Sequence, residues 1–112
     1  MYLWRENMKN DNIEIIEETE DGICKITVKG RIDSNNADYF LNKLENTMNE
    51  GNKVIVLNMS RVEYLSSIGI RMILKIYKQA AETGGKFNIE RPSEIVKNIL
   101  GMTALNEMMV TK

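Results

Sequence analysis

Two adjacent hydroxyls, Ser66 and Ser67, stand where an apolar run gives way to a helical pattern, and they are the groups best placed to take part in chemistry. A serine that acts as a nucleophile needs a neighbouring base to remove its proton. The chain has no histidine, no Gly-rich phosphate loop of the form G-x-x-x-x-G-K-[ST] and no cluster of carboxylates, so an enzyme is not expected. The one cysteine, Cys24, lies in the alternating run Cys24-Lys25-Ile26-Thr27-Val28 and reads as a small hydrophobe on a strand. No helix start or cationic cluster accompanies it to lower its pKa. One cysteine and no histidine leave no material for a histidine triad, a zinc site with paired cysteines or an internal disulfide, so no metal and no cofactor is expected. Taken alone, Ser66 is a helix cap and Ser67 a residue of the first turn.

The 112 residues suffice for one domain and not for two. With 43% apolar and 28% charged residues, a packed core is expected rather than disorder. Fifteen basic residues oppose sixteen acidic ones, and the two signs are interspersed. Nucleic acid would call for a basic patch or stripe, so no nucleic acid is expected and the partners are proteins or small molecules. No run approaches the roughly 18–20 apolar residues that span a bilayer. The start, Met1 to Asn7, lacks the apolar core of a signal peptide, so a cytoplasmic location without membrane insertion is expected. Eight methionines are scattered and read as core or end residues.

The elements that must carry the serines follow from periodicity. A strand beginning at Ile13 and another from Ile23 to Val28 flank Asp21-Gly22, which predicts an antiparallel hairpin. Ala37, Phe40, Leu41, Leu44 and Met48 then recur at helical spacing, with Asp33, Ser34, Asn35 and Asn36 as possible caps and Gly51 as the stop. Val54-Ile55-Val56-Leu57 is an unbroken apolar run, as in a central strand buried on both faces, followed by a polar turn. A second helix from Ser66 or Ser67 to Thr83 carries Ile70, Ile73, Leu74, Tyr77 and Ala81 as its stripe and stops at Gly84-Gly85. Lys86 to Ile89 is a further strand, and Pro92-Ser93-Glu94 opens a third helix through Ile95, Val96, Ile99 and Leu100. Residues 103–110 could add one more short element. Helices between successive strands require parallel crossovers, so the fold is α/β: a mixed sheet with helices packed mainly on one face.

The stretch V-I-V-L-N-M-S-R-V-E-Y-L-S-S-I-G-I-R-M-I-L, residues 54–74, resembles the STAS domain of bacterial anti-sigma factor antagonists (anti-anti-sigma factors). In that family a central strand ends in a polar residue, an apolar-x-aromatic step follows, and then Asp-Ser-Ser-Gly or Ser-Ser-Ala-Gly. Here the matching residues are Asn58, Val62-Glu63-Tyr64 and Ser66-Ser67-Ile68-Gly69. Gly30-Arg31-Ile32-Asp33 resembles the family's step after its second strand, and Gly84-Gly85-Lys86 its later turn. The likeness runs over about residues 11–110. It divides the chain into an extension, 1–10, that is either an edge element or mobile, and a STAS-like domain, 11–112.

The resemblance implies a binding module. By position Ser67 matches the phosphoacceptor serine, and a phosphate at a helix start is tolerated because unpaired N–H groups and the helix dipole face it. It would add about −1.5 to −2 charges to the docking surface. The implied partners are an anti-sigma factor with serine kinase activity, bound when Ser67 is unmodified and released when it is phosphorylated, and a serine phosphatase that resets the cycle. Asp33, Ser34, Asn58, Ser66, Ile68, Gly69 and Arg71 are the implied partner-binding residues, on a monomer or weak dimer. Local readings stand beside these: Asp33 as a cap or turn residue, Asn58 as a local hydrogen-bonding group, Arg71 as part of a solvated helix face. The chain departs from the family where Ser66 replaces the Asp of many phosphorylated members and Ile68 replaces Ser or Ala. The alternative role is a STAS scaffold or accessory subunit of a stress-signalling or lipid-transport complex, without phospho-switching.

Overall fold

The computed structural model describes residues 3–10 and 12–102. Asp21 and Gly22 both take positive φ, 52° and 79°, the conformation of a type I′ turn whose twist suits a two-residue hairpin. They join β2 (Ile13–Glu20) to β3 (Ile23–Ile32) in an antiparallel ladder that opens at Glu20↔Ile23. β1 (Leu3–Asn10) pairs antiparallel with β2, so the N-terminal extension forms an edge strand over these residues. The sequence β3, α1 (Ala37–Asn49), β4 (Val54–Leu65), α2 (Ser67–Glu82), β5 (Lys86–Glu90) lays β3, β4 and β5 parallel. The sheet order is β1-β2-β3-β4-β5, and α3 (Glu94–Gly101) follows β5.

Burial alternates along the strands. Cys24, Ile26 and Val28 of β3, Ile55, Leu57 and Met59 of β4, and Phe87 and Ile89 of β5 form one core with Phe40, Leu44, Ile73, Ile76, Val96 and Leu100 of the helices. Val54 and Val56 are only half-buried, which corrects the expectation of a strand covered on both faces: the opposite face carries charged and polar side chains. β4 is also longer than expected. It reaches Leu65 because two register shifts against β3, between Thr27 and Lys29 and between Gly30 and Arg31, absorb extra residues where a turn was anticipated. Pairing with β5 ends at Asn58↔Glu90.

Two helix faces are rotated from the expected stripes. In α2 the buried residues are Gly69, Ile73, Ile76 and Ala80, while Ile70, Leu74 and Tyr77 are half-buried and Ala81 is exposed. Small Gly69 and Ala80 face inward, which lets the helix lie close to the sheet. In α1, Thr47 is buried and Met48 only partly so. The hydroxyl of Thr47 donates to Oε1 of Glu17, a fully buried carboxylate on β2 whose Oε1 also lies 3.4 Å from Nζ of Lys43. Burial pushes the neighbouring Cys24 thiol up to about 12, and Glu17 adds to this, so the thiol is not a nucleophile at neutral pH. α2 ends in a Schellman pattern: Gly84 at φ 78°, Gly84 N–H to Ala81 O at 3.2 Å and Gly85 N–H to Ala80 O at 2.8 Å. Residues 103–110, the expected final element, lie outside the described residues.

Gly30, at φ 101°, passes so close to the β1–β2 turn that a Cβ there would sit 2.2 Å from the carbonyl oxygen of Asn12. Gly22 has open space around it. Gly30→Ala is therefore expected to cost more than ~2 kcal/mol and Gly22→Ala about 1 kcal/mol, read from the shift of the urea midpoint. Lys43→Met leaves the Glu17 carboxylate buried without its cation and is expected to cost about 3 kcal/mol. Adding Glu17→Leu to it should restore most of that loss. A double variant as unstable as the single one would show that the pair is not what holds α1 on the sheet.

Candidate functional site

The site forms where β3 and β4 end side by side. Ile32↔Leu65 is their last register pair, and the next N–H, that of Ser66, donates to the carbonyl of Ile32 at 2.9 Å. Ser66 has extended backbone, φ −79° and ψ 167°, and its Oγ accepts the N–H of Gly69 at 3.2 Å. Its own carbonyl accepts the N–H of Ile70 at 3.1 Å. Ser66 is thus the N-cap of α2, and Ser67 is the first helical residue, exposed to solvent.

The close packing under this helix start depends on Gly69. It is buried, and a Cβ on it would sit 2.7 Å from Cδ1 of Leu65 and 2.8 Å from Cγ2 of Ile32. Gly69 therefore shapes the surface from beneath. Ile68 beside it is half-buried, and Arg71, one turn beyond Ser67, is exposed on the same side of α2.

Across from Ser66, the chain leaving β3 makes a tight polar loop. Asp33 Oδ1 accepts the N–H of Asn35 at 3.0 Å, and the N–H of Asp33 donates to Oδ1 of Asn36 at 3.0 Å. Nδ2 of Asn36, which is fully buried, donates to the carbonyl of Arg31 at 2.8 Å. Asp33 thus acts locally as a turn residue, while the N-cap position of α1 is Asn36. Asp33 is half-buried and Ser34 exposed at the mouth of this loop. The N-termini of α1 and α2 consequently lie at the carboxyl ends of adjacent parallel strands, the edge at which open α/β sheets present their binding residues.

The structure thus brings together Asp33, Ser34, Ser66, Ser67, Ile68 and Arg71, with Gly69 beneath them. It does not bring Asn58 there. Asn58 lies within β4 rather than at its end: its register partner Thr27 is five residues before Ile32, the partner of Leu65, which at ~3.3 Å per residue is roughly 16 Å along the ladder. Its Oδ1 accepts the N–H of Ser60 at 2.9 Å and so bridges the first register shift of β4.

Two surface residues escaped the sequence reading as site residues, although both stand in its motifs. Arg31 and Tyr64 are register partners, and the guanidinium carbon of Arg31 lies 4.4 Å from the centre of the Tyr64 ring. Nε of Arg31 is 4.0 Å from Oδ2 of Asp33. Only the register of the bulged β3–β4 ladder makes these residues neighbours. A third residue, Ser93, anchors α3 behind the site: its Oγ donates to the carbonyl of Val62 at 2.7 Å, and its N–H to that of Met59 at 3.1 Å. Among the described residues, no group of three or more histidines, cysteines or carboxylates is arranged to hold a metal ion, and no helix is long and apolar enough to cross a membrane.

The arrangement offers an exposed hydroxyl at the start of a capped helix. Comparison with known proteins agrees with the fold. The STAS domain family model matches residues 14–112, leaving all of β1 and the turn after it outside the match. BtrV of Bordetella bronchiseptica, named as an anti-sigma factor antagonist, is 30% identical over 66 residues, 59% of this chain and 57% of that protein. The matched region spans little more than half the length of such curated relatives. An anti-sigma factor antagonist from Mycobacterium paratuberculosis superposes with a TM-score of 0.79 at 20% identity, covering 88% of this chain and 84% of that one. The anti-sigma factor antagonist SpoIIAA of Bacillus, in its unphosphorylated form, gives 0.71 at 15% identity, covering 97% and 89%. With the family model matched from Glu14 to Lys112, the chain belongs to the STAS domain family.

Proposed function

We infer that this chain is an anti-sigma factor antagonist that binds an anti-sigma factor with serine kinase activity while Ser67 is unmodified. Phosphorylation of Ser67 releases that partner, a serine phosphatase resets the cycle, and sigma-factor-dependent transcription in the bacterial cytoplasm is the process regulated. The observation that carries this reading is the division of labour between the two serines. Ser66 caps α2, whereas Ser67 is exposed at the first helical position. A phosphate on Ser67 would face the N-terminal end of the helix dipole, which favours negative charge, so the fold would persist while the docking surface changed sign. Relatives named as anti-sigma factor antagonists support the partner class, and SpoIIAA, a structural neighbour, is known in unphosphorylated and phosphorylated forms. The cycle asks no catalytic group of this chain, because the partner kinase supplies the chemistry.

Asp33, Ser34, Ile68 and Arg71 would line the surface around Ser67, with Gly69 setting its depth. The departures at Ser66 and Ile68 support a second reading, in which the chain is a STAS scaffold or accessory subunit without phospho-switching. Affinity capture from native lysate, read by mass spectrometry, separates the two. Wild type and Ser67→Ala are expected to recover a kinase-type anti-sigma factor, and Ser67→Asp to recover at least about tenfold less, the equivalent of ~1.4 kcal/mol. Equal recovery of one assembly by all three favours the scaffold and sinks the switch. Thermal unfolding of the same variants is expected to show Ser67→Asp within ~0.5 kcal/mol of wild type and Ser66→Ala about 1 kcal/mol less stable.

A further inference from the structure

On the outward face of the sheet, acids of β2 stand beside lysines of β3. One row of register partners runs Glu14, Lys29 across β2 and β3, and a second runs Glu18, Lys25. Opposite charges in such positions stabilise a sheet, and like charges destabilise it. The first row then breaks, because the β4 partner of Lys29 is Arg61 rather than an acid. Just beyond, Arg31 pairs with Tyr64 and stacks on its ring. Val28, Ile32 and Val62 point into the core, so Lys29, Arg31 and Arg61 project from the opposite face. Arg61 is exposed, the Arg31 side chain is 49% accessible and Tyr64 is 36% accessible. Three acids are close by: Glu14 on the β2 side of Lys29, Glu63 in the second bulge, and Asp33 near Nε of Arg31. Among the described residues, neither Glu14 nor Glu63 forms an ion pair with Arg61.

We propose that Lys29, Arg31, Arg61 and Tyr64 form a docking surface for an acidic segment of a protein partner. This rests on reading the chain as a partner-binding module and names the chemistry of what it binds. A carboxylate seated between Lys29 and Arg61 removes the like-charge repulsion that the isolated strand pair bears. The guanidinium of Arg31, held in place by Tyr64, presents its fork to a second carboxylate, and Tyr64 contributes rigid apolar area. The surface joins the Ser67 edge, since Ile32 follows Arg31 directly and accepts the Ser66 N–H, so one partner can cover both. Three cations on a chain of net charge −1 make a poor match for a polyphosphate backbone, which favours protein carboxylates over nucleic acid.

The test is an NMR titration of the isotopically labelled chain with an oligoglutamate peptide about a dozen residues long, at low ionic strength. Expected are amide shifts centred on Lys29, Arg31, Arg61 and Tyr64, weakening with salt. In the Arg31→Glu, Arg61→Glu double variant, apparent affinity should fall at least about tenfold. Shifts centred elsewhere, or an unchanged affinity in the double variant, overturn the proposal. So does a single-stranded oligothymidylate of matched charge that binds the same residues as tightly, which assigns the surface to nucleic acid. Ser67→Asp is titrated in parallel and should still bind the peptide. Failure of the surface therefore leaves the capture result for Ser67 intact, and failure of the Ser67 switch leaves this titration intact.

Discussion

The N–H of Ser66 reaches the carbonyl of Ile32 at 2.9 Å, one step past the last register pair of β3 and β4, and both faces of the site hang from that rung. Were β4 a regular strand, the residues after Leu57 would run straight on beside β3 and α2 would begin at another point on the edge. The two bulges let β4 take up extra residues without losing its partner, and they turn its end so that Leu65 packs inward while Tyr64 stays on the surface. Gly69 completes the constraint. Its missing side chain lets α2 descend onto Ile32 and Leu65, so the position of Ser67 relative to the Asp33 loop is set by backbone and core atoms rather than by surface contacts.

A second constraint lies at the opposite end of the core. Glu17 has no exposure to solvent, yet it carries a carboxylate that must be answered by Lys43 and Thr47 of α1. Apolar residues of equal volume would often serve a core as well or better. The hydrogen-bonded pair instead fixes which turn of α1 faces β2, and hence the rotation of α1 about its own axis. The Asp33–Asn36 loop leads directly into that helix. The charged pair and the loop at Asp33–Asn36 are thus attached to the same helix.

Much of this was legible in the sequence, and the exceptions share a cause. The Asp21-Gly22 hairpin, the Gly84-Gly85 stop and the helix start at Ser66-Ser67 are local devices, and each occurs where the residues demanded it. Asn58 misled because the apolar run stops at Leu57, whereas strand continuation was decided by pairing with β3, a property of two segments thirty residues apart. Ala81 and Met48 misled for a similar reason: helical periodicity marks an apolar face broadly, and the rotation within it is chosen by close contacts such as those of Gly69 and Thr47. Arg31 and Tyr64 stood in plain view within their motifs. Only the register made them neighbours.

The two serines differ in what the fold asks of them, and this difference bears on how such a site can change in evolution. Ser66 supplies a hydrogen bond that closes the helix, so its replacements are confined to residues able to accept one, Asp among them. Ser67 supplies none to Gly69 and occupies a position where the helix tolerates or favours negative charge. Gly69, by contrast, is bound to the packing of the helix on Ile32 and Leu65. The groups that hold the frame of this surface and the hydroxyl that faces solvent belong to different residues. Under the proposed phosphorylation of Ser67, that separation would let the added charge reach a partner while the core kept its packing.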